Sequence, residues 1–383
     1  MAFLELLSRL VSELSPGFIL LLAFPPLILA STYFYTTLRY RLALSKHLFP
    51  SSKPQPPLQV PYTIPFLGHS LSFLTPYPGL FWNRLFTTHP RSTGSCTLLL
   101  GGQNAHVLFD PSAVQALFKA RDPTRDRFNY QVLENSMAMK RSEVRKFYGL
   151  DEATSDEKDR DPRFATDGQE YEYLLRTDRV NELTEKFIGK FREELAQDKR
   201  LSDGKELKTG LTVWLRDQMF KGSTYALMGK RLLEVYPELT KEFWDYDKAM
   251  LPLFFGLPKL MIPEDYKARD RAVAGMQKWH DAVWEECKGQ PADPDGVSWE
   301  PIYGSRISRA RQRFYKHRGL TTWSKAAADL GMMFGLSSNA IPASSWMLMH
   351  ILDPNGDKTL LPRVLAELET ARNDDGVHVP ALL

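Results

Sequence analysis

The pattern of apolar and polar positions divides the chain into a continuous apolar run, a short alternating region and a long stretch with helical spacing. Phe18 to Ala30 reads FILLLAFPPLILA with no polar side chain, and STYFYTTL continues it at moderate polarity to Leu38. About 20 such residues suffice for one membrane span, and Pro25 and Pro26 are tolerated in bilayer helices. Ser95 to Leu100 alternates weakly up to Gly101-Gly102, and His106 to Phe109 resumes before Asp110-Pro111. That predicts a β-hairpin with glycine at its turn, followed by a helix over Ser112 to Lys119 with Pro111 at its start. From Tyr173 onward the period is helical. Leu183, Phe187, Ile188, Phe191 and Leu195 form one stripe, and Leu211, Leu215, Met219 and Met228 form another. Further helices are expected over Pro237 to Met250, Tyr266 to Trp284, Ile307 to Tyr315 and Leu360 to Thr370. The uncharged segment LPLFFGLP, Leu251 to Pro258, is expected to be an apolar loop, either buried or touching membrane or ligand.

The segment that organises the rest is Ala328 to Leu352, ADLGMMFGLSSNAIPASSWMLMHIL. Apart from His350 it has no ionisable side chain after Asp329. Ala328, Gly331, Gly335 and Ala343 recur at helical spacing with Asn339 in the same stripe, so a flat group or another helix can approach the backbone closely. Pro342 removes an amide donor and frees the carbonyl of Ser338. A central core helix, a second membrane span and a functionally kinked helix all fit this pattern.

Basic residues refine the picture of the N-terminus. Arg39, Arg41 and Lys46 follow the apolar run, whereas Arg9 precedes it beside Glu5 and Glu13. The asymmetry predicts a single-pass anchor over 18–38, a lumenal segment over 1–17 and a cytosolic body. A cleaved signal peptide is the alternative. Prolines 54, 56, 57, 61 and 65 make 50–66 a semi-rigid extended hinge. Residues 67–383 are then the body. Between Asp151 and Glu172 nine acidic and three basic residues predict a solvated loop. A net charge of +3 from 49 basic and 46 acidic residues gives no support for nucleic-acid binding. With Cys96 and Cys287 as the only cysteines, neither a disulfide framework nor a cysteine metal cluster is available, which fits a reducing compartment. No phosphate-cradling glycine loop, zinc-ligand cluster or nucleophile elbow is present.

The order of anchor, proline hinge ending in PFLGHS, hairpin, helical body and Pro342-bearing helix resembles a fungal microsomal cytochrome P450. The branch it is most similar to contains the sterol 7α-hydroxylases and prostacyclin synthase. The resemblance rests on Leu215 to Leu239, Gly256 to Ala272 and, above all, GLSSNAIPASSW, Gly335 to Trp346. It implies a mainly α fold with a small β-hairpin region behind one N-terminal transmembrane helix. It also implies a haem cofactor, a lipophilic substrate, NADPH-cytochrome P450 reductase as redox partner, and the endoplasmic reticulum membrane as location. A fungal secondary metabolite is the preferred substrate class; sterols and fatty acids remain open.

In the family Gly335, Ser338 and Asn339 would lie at the distal face of haem, with Asn339 at the amide position of the proton relay. The usual threonine is replaced by Ala340, which has no hydroxyl. The family's iron is held by a cysteine thiolate in a Phe–Gly–Cys–Gly loop preceded by a Glu–x–x–Arg helix, and this sequence ends before either. Neither Cys96 nor Cys287 has that context, and Arg176 and Arg179 match the family's propionate-binding arginine too weakly for assignment. The resemblance therefore implies an incomplete P450 fold, inactive as this truncated chain, with the apolar underside of its central helix exposed. A non-catalytic membrane-anchored relic or partner protein, and a haem-dependent isomerase or dehydratase, are the alternatives.

Overall fold

The computed structural model describes residues 16–47, 56–75, 78–88, 94–120, 125–150, 166–198, 208–290, 292–373 and 376–377. Most of the expected lumenal segment, residues 50–55 of the hinge and residues 151–165 of the acidic stretch lie outside the described residues. The chain divides into two units, Met1–Thr124 and Arg125–Leu383.

The first unit begins with helix α1, Pro16–His47, which carries Pro25 and Pro26 inside it. The expected anchor is part of this longer helix, whose apolar run gives way to Ser31, Thr32, Thr36 and Thr37 and then to Arg39, Arg41 and Lys46. Among the described residues no helix is long and apolar enough to cross a membrane. Within the expected hinge, strand β1, Leu58–Gln59, pairs in parallel with β2, Ser95–Leu100, which pairs antiparallel with β3, Gln103–Leu108. The two-residue turn is Gly101-Gly102, both at positive φ (56° and 80°), the geometry that suits the twist of a tight hairpin.

PFLGHS docks onto this sheet. Gly68, at φ 57°, lies against the Leu99 carbonyl so closely that a Cβ would collide with it. His69 follows, accepting from the Leu99 amide at Nδ1 (3.2 Å) while Nε2 lies 3.2 Å from the Pro61 carbonyl. An accepting Nδ1 fixes the proton on Nε2, which donates to Pro61. Burial lowers the His69 pKa, with the Pro61 carbonyl opposing it. Short helix α2, Ser70–Phe73, and helix α3, Pro78–Thr88, follow, and α4, Pro111–Lys119, is capped by Asp110, which accepts from the Ala113 amide at 3.0 Å.

The second unit is helical. It contains α5, Asp126–Gln131, continued by a π turn over Val132–Ser136; α6, Arg141–Phe147; and α7, Thr166–Glu170, continued by a π turn over Tyr171–Leu175. The main layer is α8, Thr177–Gln197; α9, Leu211–Met228; α10, Lys230–Val235; α11, Leu239–Phe254; and α12, Pro263–Glu286. Strands β4, Trp299–Glu300, and β5, Gly304–Ser305, form a minimal antiparallel hairpin after α12. Helices α13, Arg306–His317, α14, Thr322–Leu352, and α15, Leu360–Thr370, follow, then β6, Arg372–Asn373, and β7, Gly376–Val377. Helix α14 packs on α9 and α12, and α11 on α12. Phe220, Phe243, Tyr246, Trp279, Leu330 and Met333 fill the space between them.

The expected apolar loop begins later than its uncharged composition suggests. Helix α11 runs through Pro252 to Phe254 because Leu253 is buried and the Phe254 carbonyl is capped by the amides of Gln131 (2.9 Å) and Asn135 (3.1 Å). The short connection that remains still exposes Leu260, at 94%, and Met261.

Candidate functional site on the central helix

Helix α14 is fixed at its N-terminal end. Thr321 is its N-cap, and Glu143 of α6 accepts from the Thr321 amide at 2.9 Å and from its hydroxyl at 3.2 Å. Trp323 Nε1 donates to the Ala138 carbonyl at 2.9 Å.

Two turns further on, Asp329 is fully buried. It accepts from Arg311 Nε at 2.8 Å, from Gln312 Nε2 at 3.3 Å and from the Tyr315 hydroxyl. His280 Nε2 of α12 lies 3.0 Å from its Oδ2. Burial pushes the Asp329 carboxyl up, but Arg311 first, then His280 and Tyr315, outweigh it and leave the pKa below the ordinary carboxylate value. Arg311 also donates to the Ala328 carbonyl at 2.9 Å. The cluster joins α12, α13 and α14 through one charge. A lone acid heading an otherwise uncharged helical run was the available signal in the sequence, since a buried charge requires a partner.

Beyond Asp329 the helix continues unbroken through Pro342, although the proline removes one rung of the ladder. Side chains bond back to carbonyls one turn earlier: Asn339 Nδ2 to Gly335 at 2.7 Å, Ser344 to Ala340 at 2.9 Å and Ser345 to Ile341 at 3.1 Å. Gly335, Asn339, Ala340 and Ala343 are exposed on one face, and nothing lies within 4 Å of where a Gly335 Cβ would stand. Further along, Trp346 and Met347 are exposed at 62% and 57%. The result is an open apolar face with low relief around Gly335 and bulkier groups towards the C-terminus, the kind of surface that a ligand or partner covers.

The sequence-derived set therefore splits between two faces. Gly335, Asn339 and Ala340 share the open one. Ser338 points towards α11, where its hydroxyl donates to Asp247, whose other oxygen lies 3.9 Å from Arg216 Nη2. Burial raises the Asp247 pKa, with Ser338 and Arg216 opposing it. Asn339 spends a donor on its own helix. Arg176 is paired with Glu172 at 2.8 Å and Arg179 with Glu182 at 3.1 Å.

The open face can admit a flat group such as haem, but the cysteines do not fit as its ligand. A thiolate is the ligating form. Cys96 is completely buried in β2, where burial pushes its thiol up to about 11. The Cys287 thiol is raised as well, by burial first, with the Tyr303 hydroxyl opposing. Among the described residues no group of three His, Cys, Asp or Glu side chains could hold a metal ion. No haem chemistry follows from these side chains.

The fold and face together define a mainly helical body organised around one long helix with an open small-residue side. No family model matches the chain. It is similar to the cytochrome P450 monooxygenase efuG of Hormonema carpetanum, at 29% identity over 98% of this chain and 65% of that protein. Over 43% of the chain it is 32% identical to the cytochrome P450 monooxygenase fsoE of Humicola fuscoatra, covering 28% of that protein. The cytochrome P450 monooxygenase calL of Penicillium decumbens is 27% identical over 75% of the chain and 55% of its own length. All three of these similar proteins are cytochrome P450 monooxygenases by name. The chain spans at most about two thirds of the length of these relatives.

Proposed function

We propose that this chain is part of a haem-thiolate monooxygenase that oxidises a lipophilic small molecule, and that it supplies the membrane-directed end and the distal helix. We also propose that these residues alone do not hold haem iron through a thiolate. The observation that carries the reading is the open face of α14 at Gly335, Asn339 and Ala340, in a chain similar to a P450 monooxygenase over 98% of its length. The proposal extends to the branch resembling sterol 7α-hydroxylases and prostacyclin synthase, with a fungal secondary metabolite as substrate and NADPH-cytochrome P450 reductase as electron donor. The location is the endoplasmic reticulum membrane, supported by the apolar run up to Ala30 and the basic residues that follow it. A second reading, a non-catalytic partner protein, draws on the placement of both cysteines and on Ala340.

Haemin titration of the full chain, followed by reduction and carbon monoxide, tests this. The expected result is haemin uptake without a thiolate-type carbon-monoxide spectrum. No uptake would remove the distal-face reading, and a thiolate-type spectrum would overturn the statement about the cysteines.

A further inference from the structure

In the first unit, α1 and the residues around β1 enclose a cavity of about 200 Å³. The helix contributes Thr36, Arg39, Tyr40, Ala43 and Lys46, and the facing wall is the segment 56–60. The walls are held together: Thr36 Oγ1 donates to the Tyr62 carbonyl at 2.9 Å, and the Tyr62 amide reaches the same oxygen at 3.3 Å. Buried Leu58 gives that wall an apolar base. Arg39 and Lys46 are seven residues apart, two turns on one face of the helix and about 10 Å along its axis. Among the described residues no acidic side chain lines the cavity.

A partly apolar cavity with two cations at its rim suits an anionic amphiphile. Arginine's planar fork matches the oxygens of a phosphate, and lysine adds a second positive charge. The position along α1 selects the source. Thr36 lies six residues past Ala30, the end of the apolar run, about 9 Å along the helix. Along this part of the helix Leu27, before Ala30, is exposed at 66% and Phe34, after it, at 71%. With the apolar run in lipid, the cavity stands at the level of the headgroups.

We infer that this cavity binds the phosphate-bearing headgroup of an anionic phospholipid through Arg39 and Lys46. The inference rests on the proposal that α1 is membrane-directed. The full chain is tested in phosphatidylcholine vesicles containing photoactivatable phosphatidic acid or photoactivatable phosphatidylcholine, with cross-links mapped by mass spectrometry. Phosphatidic acid is expected to label 36–46 and 56–60, and the choline lipid is not. The double substitution Arg39→Gln/Lys46→Gln should cut that labelling about 30-fold, each cation near the surface contributing roughly fivefold. Arg41→Gln, outside the cavity lining, should lower it by no more than the roughly fivefold of any cation near the surface. Equal labelling of the cavity by both lipids, or labelling indifferent to the double substitution, would overturn the inference. So would competition by millimolar inorganic phosphate or by an acidic peptide, either of which would assign the cavity to another ligand. Labelling of residues 18–30 by both lipids reports membrane contact separately. If 18–30 is labelled and the cavity is not, only the headgroup site fails; if neither is labelled, the membrane proposal fails with it.

Discussion

Replacing Asp329 by asparagine would leave the shape of the second unit's polar cluster almost intact and remove the one negative charge that joins three helices. Arg311, nearly as buried as Asp329, would then face an amide carrying donors of its own. Breaking a buried pair by removing one partner costs about 3–5 kcal/mol, because the other charge stays buried and unpaired. Against a typical total of about 5–15 kcal/mol, that is a large share of the stability of the unit. Arg311→Met should cost a similar amount, since it strands the carboxylate. The double variant Arg311→Met/Asp329→Leu removes both charges and should lose less than the sum. What it still loses are the partners of the Tyr315 hydroxyl, the Gln312 amide and the Ala328 carbonyl, about 1–3 kcal/mol for each group left buried and unpaired. Urea unfolding followed by tryptophan fluorescence is the assay, with Trp279 packed beside His280 at 4.7 Å as an internal reporter. Costs that add to within about 0.5 kcal/mol across the cycle would refute the claim that the two charges act as one unit. The sign with pH follows from the lowered Asp329 pKa. Its contribution is complete above the ordinary carboxylate value, about 3.9, and is lost as pH falls through the depressed folded value.

Other predictions concern separate groups. The lowered His69 pKa means that the unfolded chain binds its proton first, so stability of the first unit should decline as pH falls below about 6.5. His69→Gln should flatten that dependence in a thermal-melt series. The raised Asp247 pKa has the opposite sign: stability should fall as pH rises from about 4 through the folded value. Asp247→Asn should remove that slope, and an unchanged slope would show that another group sets it. Iodoacetamide at pH 8 should modify partly exposed Cys287 well before buried Cys96, which should react only after unfolding, as read by peptide mass spectrometry.

Much of this architecture is legible in residue spacing. The hairpin turn follows from Gly101-Gly102, and α12 and α15 follow from stripes such as Val273, Met276, Trp279 and Val283. Local composition misplaces the end of α11, because Gln131 and Asn135, more than a hundred residues earlier, cap it through the Phe254 carbonyl. The candidate site is legible in part. The stripe of small residues marks the open face of α14, but Ser338 belongs to the opposite side because Asp247 claims its hydroxyl. The Asp329 cluster draws on α12, α13 and α14, and spacing within one helix cannot show which distant cation reaches a buried acid.

Thiol labelling of α14 tests the account most directly. With Cys96 and Cys287 replaced by serine, Ala343→Cys on the open face should react with maleimide rapidly, and Ser345→Cys on the buried side slowly. Haemin should slow Ala343→Cys by about tenfold or more, as about 1.4 kcal/mol of cover requires, and leave Ser345→Cys unchanged. Slow labelling of Ala343→Cys in the free chain, or a rate indifferent to haemin, would contradict the assignment of this face.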